Sequence, residues 1–269
     1  MPRQARIDSP GAIHHIICRG IERRKIFWDD IDRDSFLSRL GDVLQKTCTP
    51  CYAWALIPNH FHLLLQTGMV PIASVMRRLL TGYAVQFNRR HNRVGHLFYN
   101  RYKSILCQKE PYLLELVRYI HLNPIRAGIV GSMGELKDYR YCGHGRILAG
   151  DNEPWQEIDD VLIRFDEIQR RGRTKYEIFV AEGIAAGKRA DLVGGGLVRS
   201  SGGWQEVIWA RRSGTFLKND ERILGDSVFV EAVLSEAEEH LERECAYRMG
   251  NMDLEQVAQR VAEGLKIEI

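Results

Sequence analysis

Pro58-Asn59-His60-Phe61-His62-Leu63-Leu64-Leu65 holds two imidazoles in an otherwise apolar run. Pro58-Asn59 is a turn signal, and the short apolar stretch beyond it predicts a strand over His60–Gln66. Side chains on a strand alternate faces. His60 and His62 then point one way, and Phe61 and Leu63 the other. Two imidazoles on one face can offer two nitrogens to one metal ion; ordinary surface or satisfied core histidines share this spacing. The second informative segment is Tyr119-Ile120-His121-Leu122-Asn123-Pro124. It closes a predicted helix over Pro111–Asn123, with proline in its first turn and Leu113, Leu116, Val117 and Ile120 facing inward. Pro124 ends it. Tyr119 and Asn123 are four residues apart and share a helical face, so a phenol and a carboxamide are presented together. His121 lies ~200° around the helix from Tyr119 and is expected off that face. Glu115 shares the face, as an orienting group, a ligand or a plain surface carboxylate.

Outward from these segments, Ala12–Arg19 is an Ile-rich predicted strand, with His14 and His15 on opposite faces. Arg19, Arg23, Arg24 and Lys25 cluster at its end. Asp29–Lys46 has acidic residues in its first turn and the apolar spacing of an amphipathic helix. Tyr52–Ile57 reads as a strand, antiparallel to His60–Gln66 because the link is so short. Ile72–Arg90 is a second amphipathic helix. Leu97–Cys107 reads as a further strand or ribbon with Arg101, Tyr102 and Lys103 near its middle. Interleaved aromatic and basic side chains suit single-stranded nucleic acid, where bases stack and phosphates pair; an amphipathic edge strand fits the same pattern. Arg126, in the turn after Pro124, is placed to reach a phosphate.

Composition sets outer bounds. With 45% hydrophobic and 27% charged residues in 269, the chain reads as a soluble globular protein. It shows no signal core or membrane-length apolar run, so a cytoplasmic location without membrane attachment is expected. Residues 1–130 hold 19 of the 38 basic and 9 of the 35 acidic residues, a balance of +10, leaving −7 for the remainder. A basic first half points to a polyanionic partner. The six cysteines are read as reduced thiols, since the single CxxC at Cys48–Cys51 has no second half for a zinc site.

The segments PNHFHLLL, GHLFYNRYKSIL and YLLELVRYIHLNPIRAGIV resemble the single-tyrosine transposases of the HUH endonuclease superfamily, most of all the REP-associated tyrosine transposases of bacteria. The resemblance covers about residues 8–130. It implies an α+β fold, a ferredoxin-like antiparallel sheet with packed helices. It also implies that Tyr119 is the nucleophile and that His60, His62 and Asn123 bind a divalent cation, Mg²⁺ or Mn²⁺. Many insertion-sequence relatives have Gln where Asn123 stands. The implied activity is a metal-dependent nicking and rejoining of single-stranded DNA through a 5′-phosphotyrosine, on hairpin-bearing ends. Candidate DNA contacts are Arg19, Arg23, Arg24, Arg101, Tyr102, Lys103 and Arg126. The protein could act as a monomer or a homodimer.

Residues 1–148 are read as the catalytic domain, sufficient for strand cleavage, and 149–269 as an acidic, all-helical extension. Helices are expected over Glu157–Arg171, Lys175–Ala186, Trp204–Arg211, Ser227–Arg248 and Asp253–Leu265, with a Gly-rich loop at Arg189–Gly203. Tyr139–Gly145 is expected to fold back on the catalytic domain. Other readings are a DNA-binding regulator of this fold that has lost transposition, an RRM-like RNA-binding module, and a zinc hydrolase. The intact HxH, Tyr and Asn argue against the first two, and the lack of a third zinc ligand against the last.

Overall fold

Alternation along His60–Gln66 sets the two faces of the sheet. The computed structural model describes residues 7–9, 11–150, 153–187, 189, 192–194 and 219–249, with side chains to residue 239. In it this segment is strand β3. Phe61, Leu63 and Leu65 enter one core with the buried faces of helices α1 (Asp30–Lys46) and α2 (Ile72–Arg90). Leu64 points the other way, into a second core built with α3 (Lys109–His121).

Strands β1 (Ile13–Arg19), β2 (Cys51–Ile57) and β4 (Lys103–Cys107) complete the central sheet, in spatial order β2-β3-β1-β4. All its neighbours are antiparallel. The chain order β1-α1-β2-β3-α2-β4 therefore interleaves two split β-α-β units, which is the ferredoxin-like plan and an α+β fold. In the β1–β3 register Ile17 stands opposite His62 and Arg19 opposite His60. His15, two residues back along β1, shares that face.

Local chemistry explains the helices. Asp29 accepts the Asp32 amide at 3.0 Å, an N-cap worth about 1 kcal/mol. Phe36 of α1 meets Phe61 of β3 with centroids 4.8 Å apart. The Tyr83 hydroxyl of α2 donates to the Ile26 carbonyl at 2.6 Å, so a buried phenol is satisfied.

Four expected elements differ. The strand expected over Leu97–Cys107 begins only at Lys103. Leu97 and Tyr102 both bury in the α1–α2 core, and residues five apart cannot share a face of a period-two strand. Helix α3 stops at His121, and Asn123–Arg126 forms a separate turn, α4, with Pro124 in its first positions. Proline thus starts a new turn as well as closing the old helix. The expected helix Glu157–Arg171 is only the turn α7 (Asp159–Leu162), followed by α8 (Gln169–Glu182), in place of the expected Lys175–Ala186. Asp166 interrupts the run by accepting the Ile168 amide at 3.0 Å and the Lys175 ammonium at 2.7 Å.

The segment after α4 does return to the sheet, by way of α5 (Met133–Asp138) and α6 (Gly143–Ala149). The Tyr139 hydroxyl donates to the Leu56 carbonyl at 2.9 Å, and Cys142 bridges Ala55. Packing continues past the division expected at 148. Ile158, Val161, Leu162, Tyr176 and Val180 belong to the α3 core, and a compact unit runs from Met1 to Glu231, with Ala232–Ile269 the second. Nor is the extension all helix: β5 (Ile223–Leu224) pairs parallel with β4. The last described helix is α9 (Ser227–Met249). Trp204–Arg211, Asp253–Leu265 and most of Arg189–Gly203 lie outside the described residues.

Candidate active site

Strand β3 presents His60 and His62 side by side, with ring centroids 5.2 Å apart. Each uses its Nδ1 within the protein. His60 Nδ1 lies 2.6 Å from Asn59 Oδ1, and the Asn59 amide nitrogen is committed to the Arg23 carbonyl at 3.2 Å. His60 Nδ1 is therefore the donor, and its Nε2 keeps a lone pair. His62 Nδ1 lies 2.9 Å from Nε2 of His15. Burial, helped by Arg19, pushes His60 down to about 4. Burial, with neighbouring His15 and His60, holds His62 well below its ordinary value. Both rings are neutral at pH 7, the form that binds metal.

Helix α3 brings Tyr119 against His62 and its neighbour His15. The Tyr119 ring stands edge-on to His15 at 5.7 Å and to His62 at 5.9 Å. The Arg126 guanidinium lies 5.0 Å from the Tyr119 ring centroid and donates to the Tyr119 carbonyl at 3.2 Å. Burial lowers the Arg126 pKa while Tyr119 raises it. Asn123 Nδ2 donates to the carbonyls of Tyr119 at 2.9 Å and Ile120 at 3.3 Å. Carbonyls only accept, so the amide nitrogen is held by the helix end and Oδ1 is left as the free donor atom for a ligand. His60, His62, Tyr119, Asn123 and Arg126 all line one cavity of about 760 Å³.

Charge completes the cavity. Arg19, Arg101, Lys103, Arg126 and Arg189 line it, with no carboxylate among its described lining residues. Tyr99, 72% exposed, stands at its wall. Such a hollow suits a phosphodiester with an unpaired base at its edge. Among the described residues no three His, Cys, Asp or Glu side chains gather to hold a metal by themselves. Two imidazoles and a carboxamide oxygen are the available set, a mixed N/O site suited to Mg²⁺ or Mn²⁺.

Some expected residues fall elsewhere. Tyr102 is 6% exposed and sits in the α1–α2 core, so its aromatic face is not offered to a strand of DNA. Arg23 and Arg24 are exposed but outside the cavity, and Arg24 pairs with Glu22 at 2.8 Å. Glu115 pairs with Arg118 and with Arg189 at 3.1 Å. His121 is off the site, as its angle requires, with Nδ1 2.7 Å from the Tyr176 hydroxyl. Sequence reasoning allowed one of His14 and His15 to approach the site but favoured a core or surface histidine, and it missed Arg189. His15 carries one signal, the same strand parity as Arg19; Arg189 carries none, because only the fold brings it to the cavity.

Residues 9–123 match the family model described as Transposase IS200 like. The chain carries an IS200-like transposase domain. The match spans β1 to Asn123, and so all four residues of the Tyr119–His60–His62–Asn123 constellation. The matched domain is that of an enzyme of DNA transposition. Among solved structures it is similar to a REP-associated tyrosine transposase bound to a REP hairpin, at 17% identity, covering 59% of this chain and 90% of that one, with a TM-score of 0.46. It is also similar to a candidate transposase from Deinococcus radiodurans R1, at 17% identity, covering 46% and 95%, with a TM-score of 0.32. No curated protein matches the transposase. No helix among its described residues is long and apolar enough to cross a membrane.

Proposed function

We propose that this transposase nicks and rejoins single-stranded, hairpin-bearing DNA through a covalent 5′-phosphotyrosine at Tyr119. The observation that carries this reading is the Tyr119 ring lying against His15 and His62, at the wall of a cavity lined by five cations. The Tyr119 oxygen attacks the scissile phosphorus, and the 3′-oxygen leaves with a proton as a free hydroxyl. Because the phosphodiester energy stays in the phosphotyrosine, a 3′-hydroxyl can reverse the step and join new ends without ATP. A phenol ionises near pH ~10, so the attacking oxygen needs its developing charge stabilised. Arg126, over the Tyr119 ring, supports that charge. Arg19, Arg101 and Lys103 hold the flanking phosphates, and Tyr99 stacks on an unpaired base.

His60 Nε2, His62 Nε2 and Asn123 Oδ1 would hold a divalent cation, Mg²⁺ or Mn²⁺. When bound, it supplies Lewis-acid polarisation of a non-bridging phosphate oxygen. The catalytic machinery lies in β1 to α4, with the segment after residue 148 buttressing it. The test is incubation with labelled hairpin-bearing single-stranded DNA and Mn²⁺, followed by a denaturing gel. A protein–DNA adduct is expected. Binding without any adduct would favour the regulator that has lost transposition.

A further inference from the structure

His15 is the most tightly constrained side chain near the site that the proposed chemistry leaves unused. It is fully buried on β1, and both its ring nitrogens are engaged. Nδ1 lies 3.1 Å from the Leu192 carbonyl oxygen, and Nε2 lies 2.9 Å from His62 Nδ1. A carbonyl only accepts, so His15 Nδ1 carries a proton. Complete burial keeps the ring neutral, which leaves Nε2 a bare acceptor. His62 Nδ1 must then be the donor, and His62 Nε2 is left with its lone pair. The two rings stack at 5.2 Å and 27°, which fixes the orientation of His62.

We propose that His15 is a positioning residue: it locks His62 in the Nδ1–H tautomer, so that Nε2 is presented as a ligand. Leu192, well past residue 148, supplies the far end of the relay. The inference rests on the divalent-cation reading of His60 and His62. Asn59 does the same for His60 by a separate route, so each imidazole has its own orienting partner, as metal-binding histidines commonly do. With both nitrogens engaged, His15 has none left for the phenol, which excludes it as a base for Tyr119.

The tautomer can be read directly. In the metal-free full chain labelled with ¹⁵N-histidine, long-range ¹H–¹⁵N spectra should show protonated Nδ1 and unprotonated Nε2 for both His15 and His62. An Nε2–H tautomer at His62 overturns the proposal. His15→Phe keeps the ring's bulk and removes its acceptor. Mn²⁺ affinity, measured by calorimetry, should then fall about 10–100-fold while circular dichroism shows a folded chain. His15→Gln, whose carbonyl can accept from His62 Nδ1, should recover most of that affinity. Unchanged Mn²⁺ affinity in folded His15→Phe also overturns the proposal. A wild type with the expected tautomers that binds no Mn²⁺ sinks the metal reading and leaves the lock standing.

Discussion

Tyr119 is one of ten tyrosines, and its neighbours set it apart. Tyr112 lies two turns earlier on α3, with Leu116 where a polar partner would be needed. Tyr102 is buried, and Tyr99 stands on an irregular loop. Among the described tyrosines only Tyr119 has His15, His62 and an arginine against its ring. Tyr119→Phe removes one oxygen. DNA binding should persist while the covalent adduct vanishes; peptide mapping that finds the nucleotide on Tyr102 or Tyr112 instead would reassign the nucleophile. His60→Ala and His62→Ala should likewise lose cleavage and stay folded, because their side chains leave the α1–α2 core intact. Wild-type cleavage by the double variant would remove both from the site.

A second histidine pair lies deeper. The Tyr176 hydroxyl sits 2.7 Å from His121 Nδ1 and 2.8 Å from His144 Nδ1, all fully buried. Burial, helped by Lys137, pushes His144 from 6.5 down to about 4. The unfolded chain therefore takes up this proton first. The stability His144 contributes is full above pH 6.5 and falls as the pH drops towards 4, by about 3 kcal/mol at the lower end. Urea midpoints measured from pH 7 to pH 4 should trace that fall. His144→Phe should make that fall shallower, the remainder coming from the other buried histidines, His15, His60, His62 and His121; an unchanged slope in that variant would place the titration wholly on them.

At the scale of elements, the sheet and the constellation on it were legible because their signals are local. Turn chemistry at Pro58-Asn59 and the alternation of His60–Leu65 give the β2–β3 hairpin and its polarity. The i, i+4 spacing of Tyr119 and Asn123 survives although α3 ends between them, since the Asn123 amide itself caps that end. The pairing of β1 with β3 was not legible. Register across a long connection depends on which faces bury, and that pairing is what brings His15 to His62. The loop before β4 was misread because its aromatic and basic residues alternate in sequence, while its backbone does not. The cations near the cavity still divide by position. Arg101→Ala and Lys103→Ala should each lower single-stranded DNA affinity and reduce the log–log salt slope by about 0.7. Arg24→Ala, paired with Glu22 and outside the cavity, should leave the slope unchanged; equal slopes for all three would mean that the cavity does not track the backbone.

For the whole molecule, the α3 core extends past the division expected at residue 148. Composition reports surface, and the surface of the extension is acidic; its buried residues are apolar and fill the α3 core. Removing residues after 148 takes away Ile158, Val161, Leu162, Tyr176 and Val180, all buried there. At about 1.5–3 kcal/mol for each fully buried side chain, the loss is on the order of 10 kcal/mol. That is comparable to the whole stability of a typical domain, about 5–15 kcal/mol. The cut also orphans buried polar atoms. Trp54 Nε1 loses Gln156 at 2.9 Å, His121 loses Tyr176, and His15 loses the Leu192 carbonyl. Each unsatisfied group costs a further ~1–3 kcal/mol. A fragment of residues 1–148 should therefore fail to fold, with no cooperative thermal transition and rapid proteolysis. A fragment of residues 1–231, which keeps every one of these groups, should melt cooperatively and form the hairpin-DNA adduct. A cooperatively folded, cleaving 1–148 fragment would show that the α3 core closes without α7, α8 and β5, and would support the division at 148.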